Sequence, residues 1–309
     1  MIIKSDINDD SNVEKFDYYE GELEKDIHEN DGYWDNIIAP QASLFALNLR
    51  EVWHYRDLLI LFVRRDVVSF YKQTIFGPVW YFIQPLFTMC IYLLIFGRLA
   101  NLSTDGLPGP LFYLCGITAW GYFSECLTKT ATVFKDNSAI FGKVYFPRLV
   151  MPLSLVISNL VRFGVQMILL VCFIAYYLIT KTQIHFSWYI LLFPLIVALM
   201  AAQGLGLGMI ISAMTTKYRD LAMLLTFGVQ LLMYLTTVVY PLSSLKGNMH
   251  TLVAYNPLTP LMEGIRKSIL GAGSFDLLSL SYAFISTSII LILGVIIFNK
   301  VEKNFVDTI

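Results

Sequence analysis

Between Met151 and Ile179 the chain reads MPLSLVISNLVRFGVQMILLVCFIAYYLI, a run of 29 residues in which Arg162 is the single charge. An α-helix needs about 20 apolar residues to cross a hydrocarbon layer of roughly 30 Å. The run satisfies that length with residues to spare, and it reads as a transmembrane helix. Moving outward, runs of the same character lie at about 78–97, 110–132, 188–213, 221–241 and 279–298. The fold class expected is therefore an all-α integral membrane protein with six transmembrane helices.

Composition agrees. Of 309 residues, 56% are hydrophobic, 15% aromatic and only 15% charged, where a soluble domain carries about 25% charged residues. A soluble core has no place for that much apolar surface. The net charge of −1 hides an asymmetry, because residues 1–35 hold twelve acids against Lys4, Lys15 and Lys25. The remainder is net basic, which suits contact with anionic lipid or phosphate. The acidic arm reads as a solvated extension, and nothing calls for a nucleic-acid partner. Cys90, Cys115, Cys126 and Cys172 all sit in apolar runs, without metal or disulfide spacing, and read as packing residues. The polar, acidic N-terminus does not resemble a signal peptide, so insertion is expected to rely on the internal spans.

Lysine and arginine set the orientation. With the N-terminus inside, the inner segments hold Arg50, Arg56, Arg64, Arg65, Lys72, Lys129, Lys135, Lys143, Arg148, Lys217, Arg219, Lys300 and Lys303. The outer ones hold Arg98, Lys181, Lys246, Arg266 and Lys267. The positive-inside rule then places both termini in the cytoplasm. Four regions follow: an acidic N-terminal extension at 1–50, an amphipathic helix at 51–76, the six-span domain at 77–300 and a cytoplasmic tail at 301–309.

Before the first span, YRDLLILFVRRDVVSFYKQ (Tyr55 to Gln73) spaces Asp57, Arg64, Arg65 and Lys72 by seven or eight, which puts them on one helical face. Such a helix either lies in the headgroup plane with its cations toward anionic lipid or packs on the bundle as an ordinary amphipathic helix. Between the fifth and sixth spans, Pro257, Pro260, Gly271 and Gly273 interrupt a segment too apolar for a free loop. Short re-entrant helices reconcile the two, since irregular backbone at membrane depth must be buried in protein or line a cavity. No internal repeat is visible.

The chemistry-bearing residues are sparse. His28, His54, His185 and His250 lie outside the spans and apart from one another, no HExxH or GxSxG occurs, and no GxxxxGK[ST] loop exists to cradle a nucleotide. The chain is expected not to be an enzyme and to hold no metal or cofactor, so any energy must come from a partner. Glu125 in the second span and Arg162 in the third are ionisable residues deep in apolar runs. They read either as a structural pair between neighbouring helices or as pore-lining groups. The first two spans are loaded with aromatics: Trp80, Tyr81, Phe82, Phe87, Tyr92, Phe112, Tyr113, Trp120, Tyr122 and Phe123. Rings with polar tips suit either interfacial belts or a surface along which sugar faces slide. In the loop FKDNSAIFGKVYFPRLVMP, Phe141, Lys143, Tyr145 and Phe146 read as exposed residues of a cytoplasmic knob, or as an interfacial anchor.

Five segments together resemble the permease subunits of polysaccharide-exporting ABC transporters, the exporters of lipopolysaccharide O-antigen, capsule and teichoic acid. They are RRDVVSFYKQTIFGPVWYFIQPL (Arg64 to Leu86), GITAWGYF (Gly116 to Phe123), FGKVYFPRLVMPLS (Phe141 to Ser154), YNPLTPLMEGIR (Tyr255 to Arg266) and the C-terminal FNKVEKNFVDTI. The resemblance covers nearly everything after residue 45. It implies a homodimer around a channel in the bacterial cytoplasmic membrane, with two ABC ATPase subunits that hold the ATP and Mg. The implied cargo is an undecaprenyl-diphosphate-linked glycan. By the same analogy Arg64, Arg65 and Lys72 lie at the lipid-diphosphate entrance, and Trp80, Tyr81, Phe87, Tyr92, Tyr113, Trp120, Tyr122 and Phe123 belong to the sugar path. Phe141, Lys143, Tyr145 and Phe146 would couple to the ATPase. Relatives often carry a base where Phe70 stands here. A drug or free-lipid permease on the same scaffold, or a membrane glycosyl- or acyltransferase, are the other readings weighed, and the latter lacks its acid or histidine cluster.

Overall fold

The computed structural model describes residues 49–72, 76–141, 146–180, 188–218 and 220–305, all within one compact unit, Leu44–Ile309. The acidic extension lies, apart from residues 49 and 50, outside the described residues, as do Lys143 and Tyr145. The described chain is helical throughout, with no strand among the described residues. In order the helices are α1 (Leu49–His54), α2 (Arg56–Lys72), α3 (Trp80–Tyr92), α4 (Gly109–Ala131), α5 (Val133–Asp136), α6 (Ser138–Phe141), α7 (Val150–Ile179), α8 (Phe193–Lys217), α9 (Leu221–Tyr234), α10 (Gly247–Ala254), α11 (Leu258–Leu270) and α12 (Leu277–Phe305).

Four helical stretches are long and apolar enough to cross a membrane: Gly77–Leu99, Val150–Ile179, Trp188–Thr215 and Leu277–Lys300. The first is composite. A 3₁₀ turn at Gly77–Val79 feeds α3, Pro85 interrupts its hydrogen-bond ladder, and the helix continues as a π-helix over Leu93–Leu99. The outer surfaces of these stretches leave Phe87, Ile168, Val171, Ile285 and Ile292 exposed, as a lipid-facing surface requires. α4 has the length of a span, 23 residues, but its sequence mixes Gly, Thr, Ser, Glu and Lys into the apolar residues. It forms the centre of the bundle, with Leu111, Phe112, Tyr113, Leu114, Phe123 and Cys126 at 0% exposure.

Glycines set how closely the central helices approach. α8 packs between α4 and α12. Its Gly204 and Gly208 face α4, where an added Cβ would come within 2.9 Å of the Cys126 Cβ and 2.6 Å of the Thr130 Cβ respectively. Gly206, on the opposite side, meets α12, and a Cβ on Gly294 would stand 2.5 Å from the Gly206 carbonyl oxygen. Small residues four apart allow such backbone contact, which in a membrane replaces hydrophobic driving force with close van der Waals packing. At the start of α12, Asp276 accepts hydrogen bonds from the Ser279 hydroxyl and, at 2.8 Å, from its amide. Those bonds hold its carboxyl below the usual carboxylate range.

The fifth apolar run departs from expectation. The sequence predicts one span over 221–241, yet α9 stops at Tyr234 and the chain turns through Leu235–Tyr240. The reason lies in the threonines and β-branched residues that follow, TTVV at 236–239, which are weak helix formers. The freed carbonyls find partners elsewhere: Asn256 Nδ2 donates to Leu235 O at 3.0 Å and Arg266 Nη2 to Thr237 O at 2.5 Å. The segment expected to break into short helices does so, as α10 and α11. At the other end of the bundle, Phe134, Phe141, Phe146, Phe62 and Phe298 form an aromatic cluster, with ring centroids 4.8 Å apart for Phe134–Phe298 and 5.6 Å for Phe141–Phe146. It ties α2, α5, α6 and the start of α7 to α12.

Candidate functional site

Three helices, α3, α4 and α7, enclose a cleft whose floor is the Glu125–Arg162 pair. Both residues come from runs otherwise apolar, so each must find a counter-charge or face a wet space. Both conditions are met. Arg162 Nη1 stands 3.0 Å from Glu125 Oε1, and Lys129 Nζ reaches the other carboxylate oxygen at 3.9 Å, one turn further along α4. The Arg162 guanidinium lies over the Tyr81 ring at 5.3 Å, a cation–π contact that fixes the arginine against α3. The two readings of this pair were alternatives in the sequence; in the structure the same two side chains bridge helices and line the cleft.

The cleft consists of two cavities that share Tyr81, Asn159 and Arg162. One, of about 230 Å³, runs between α3 and α4 and is lined by Gln84, Thr88, Tyr92, Trp120, Tyr122, Glu125 and Gln166 among others. The other, of about 400 Å³, opens toward α2 and is lined by Arg65, Asp66, Ser69, Lys129, Asp136 and Ser158. Tyr81, Gln84, Thr88 and Tyr92 recur at helical spacing and so present one face of α3 to the space. Gln84, Thr88, Asn159 and Gln166 were not singled out from sequence. Their signal, polar side chains in step with a charge inside apolar runs, was there to be read.

Of the eight aromatics assigned to a sugar path, Tyr81, Tyr92, Trp120 and Tyr122 line this cleft. Trp80 and Phe87 are exposed on the outer surface of α3, whereas Tyr113 and Phe123 are buried in the core of the bundle. Tyr92 donates from its hydroxyl to Met233 Sδ at 3.4 Å, which connects α3 to α9.

α2 packs along α7 through its inner face, where Phe62 is buried. Arg64 and Lys72 are exposed. Arg65 is also exposed but anchored: it lies 5.0 Å from the Phe62 ring, pairs with Asp66 at 2.8 Å and lines the larger cavity. The same helix leaves Trp53, just before it, and its own Ile60 and Leu61 exposed, so its outer side mixes large apolar groups with cations. Of the knob residues, Phe141 is partly buried and Phe146, expected at the surface, is buried at 4% exposure inside the aromatic cluster. Its ring fills the space between Phe62 and Phe141, which is more favourable than leaving three apolar rings wet.

A second charged pair, missed in the sequence, is buried more deeply than the first. Arg266 was assigned to an outer loop, but it and Glu263 are 0% exposed on α11. Arg266 Nη1 donates to Glu263 Oε1 at 2.9 Å, and its guanidinium carbon stands 4.0 Å from the centre of the Phe112 ring on α4. Glu263 accepts from Leu242 N at 3.3 Å and, through its other oxygen, from Ser274 N at 3.1 Å. Lys267 donates to Phe275 O at 2.7 Å and lies over the Tyr189 ring at 4.8 Å. The pair thus satisfies backbone groups of both irregular segments that flank α10 and α11.

The comparisons with known proteins agree with this architecture. The profile described as ABC-2 type transporter matches residues 57–270. The chain is 30% identical over 218 residues to the O-antigen export system permease protein RfbA of Myxococcus xanthus, covering 69% of this chain and 80% of that protein. It is 27% identical over 252 residues to the protein of the same name from Klebsiella pneumoniae, covering 81% and 94%. To the polysialic acid transport protein KpsM of Escherichia coli it is 23% identical over 252 residues, covering 79% and 92%.

Proposed function

Because the chain belongs to the ABC-2 type transporter family of membrane proteins, we propose that it is the transmembrane permease subunit of an ABC exporter that moves lipid-linked polysaccharide, an O-antigen, across the bacterial cytoplasmic membrane. The observation that carries this reading is the similarity to O-antigen export permeases over up to 94% of their length. Two copies form the pathway and two separate ATPase subunits hold the ATP and Mg, since no phosphate-cradling loop occurs in this chain. A capsule polysaccharide is the second cargo reading, favoured by the similarity to KpsM.

In this reading all six predicted spans cross. α4, at 23 residues, reaches about 34 Å, and α9, at 14 residues, reaches about 21 Å, with Leu235–Tyr240 completing the passage. α10 and α11 re-enter the outer leaflet, where the buried Glu263–Arg266 pair answers the need for satisfied backbone at membrane depth. Both termini are cytoplasmic, with residues 1–50 and 301–309 as extensions of the permease domain 77–300. α2 lies at the inner surface, and its exposed Arg64 and Lys72 meet the diphosphate of the lipid carrier, while Arg65, expected beside them, is held by Asp66 at the cleft. Tyr81, Tyr92, Trp120 and Tyr122, which line the cleft, serve the glycan path, and the Phe141–Phe146 knob, with Lys143 and Tyr145, receives the ATPase stroke.

Deleting the gene is expected to leave lipid-linked glycan inside the cell, measured by fractionation and glycan blotting; a deletion strain with normal surface polysaccharide refutes the proposal. Replacing Arg64 and Lys72 together by Ala removes two cations worth about 1 kcal/mol each toward an anionic lipid surface, roughly 30-fold in capture of the carrier. The expected result is a matching fall in export rate with unchanged yield of assembled complex. Unchanged export removes both residues from the entrance.

A further inference from the structure

We infer that the cleft centred on Arg162 is a subsite for uncharged sugar hydroxyls, and that it excludes the diphosphate of the carrier rather than binding it. The inference rests on the exporter reading above and specifies which part of the cargo occupies this space.

Charge balance is the first ground. Among the described residues the larger cavity is lined by three cations, Arg65, Lys129 and Arg162, and by Asp66 and Asp136. Glu125 joins the acids, because it bridges Arg162 and Lys129 at 3.0 and 3.9 Å. Asp66 holds Arg65 at 2.8 Å. Three carboxylates against three cations leave no excess positive charge for a diphosphate, and an anion entering here would meet carboxylates already paired at low dielectric. Exposed cations free of the cavity's carboxylates are what α2 offers at Arg64 and Lys72.

Hydrogen-bonding capacity is the second. Asp66 lines this cavity, and its Oδ2 is a buried acceptor with no hydrogen-bond partner. A carboxylate oxygen accepts and does not donate, so it requires a donor, which a sugar hydroxyl supplies and the fully ionised sugar–diphosphate linkage does not. The smaller cavity continues with side-chain amides, Gln84, Gln166 and Asn159, which donate and accept together, as a hydroxyl does. Trp120 and Tyr81 supply ring faces beside them. Carboxylates, planar amides and ring faces around one open space match the alternating hydroxyl and C–H surfaces of a neutral sugar.

The test uses the permease in complex with its ATPase, reconstituted in liposomes, with Gln166→p-benzoylphenylalanine as a photocrosslinker in the cleft and Gln84→p-benzoylphenylalanine as the second position. Two labelled probes are compared: undecaprenyl diphosphate bearing one neutral N-acetylhexosamine, and sugar-free undecaprenyl diphosphate. The sugar-bearing probe is expected to label the permease at least tenfold more, and Asp66→Asn to reduce that labelling severalfold. Equal labelling by both probes in the unsubstituted complex makes this an anion or lipid site and overturns the inference. No labelling at either position in a complex that still exports overturns it too and leaves the exporter reading intact. Normal surface polysaccharide in the deletion strain overturns the exporter reading instead.

Discussion

Replacing Glu263 with Ala is expected to cost about 3–5 kcal/mol of stability, the scale for breaking a buried ion pair by removing one partner. In the variant Arg266 stays buried with its charge uncompensated, and its Nε already has no hydrogen-bond partner, so the Phe112 ring becomes its chief neighbour. Leu242 N and Ser274 N lose their acceptors at the same time. The measurement is thermal unfolding of the purified protein in detergent, with the monodisperse fraction as a second readout. Arg266→Ala should fall in the same range, since it abandons a buried carboxylate and the Thr237 carbonyl. The double variant Glu263→Met with Arg266→Met separates the causes. It removes both charges and keeps the volume, so it should be more stable than either Ala variant. It should still lie below wild type, because the backbone groups of both flanking segments remain unpaired. A double variant no better than the singles would mean that charge pairing is not what holds α11 in place.

Gly206→Leu is expected to prevent accumulation of folded protein. A Cβ at that position would lie 2.9 Å from the Leu291 Cα and 3.0 Å from the Leu291 amide nitrogen, backbone atoms that no rotamer change can move away. α12 would have to withdraw from α8, and the Gly206–Gly294 contact would open with it. Overpacking of this kind costs about 1–3 kcal/mol when neighbours can yield, and more where they cannot. Gly164→Leu is the control, because nothing lies within 4 Å of a Cβ there. Equal yields of both variants, judged by size-exclusion profile, would refute the role assigned to the contact. The same logic predicts that Gly294→Ala is tolerated less well than Gly228→Ala, which also has open space.

Most of the architecture was legible in run lengths. The expected spans 78–97, 110–132, 151–179, 188–213 and 279–298 lie on helical stretches of the structure with ends displaced by a few residues. Hydropathy registers composition and is blind to where a helix unwinds, so 221–241 read as one run although its second part is a threonine-led turn. The Glu125–Arg162 pair stood out because charges in apolar surroundings are conspicuous. Glu263 and Arg266 did not, because PLMEGIRKSIL lies among prolines and glycines and was taken with the loop. The informative pattern was an acid and a base three apart, interleaved with Leu261, Met262, Ile265 and Ile269. Burial of Phe146 was illegible for a different reason: its ring partner Phe62 is distant in sequence, and nothing local says that they meet.

The change of hydrogen-bond period in the first span has a consequence for how much of it can address a passing chain. Tyr81, Gln84, Thr88 and Tyr92 stay aligned because each step of three or four residues returns to the same side of an α-helix. From Leu93 the backbone adopts π geometry through Leu99, the next side chains rotate out of line, and the row stops. Its length is then fixed by the eleven steps from Tyr81 to Tyr92, about 16 Å at α-helical rise. In the proposed glycan path the span would therefore work as a ruler with a stop at one end, offering a fixed number of contacts however long the molecule that moves past it.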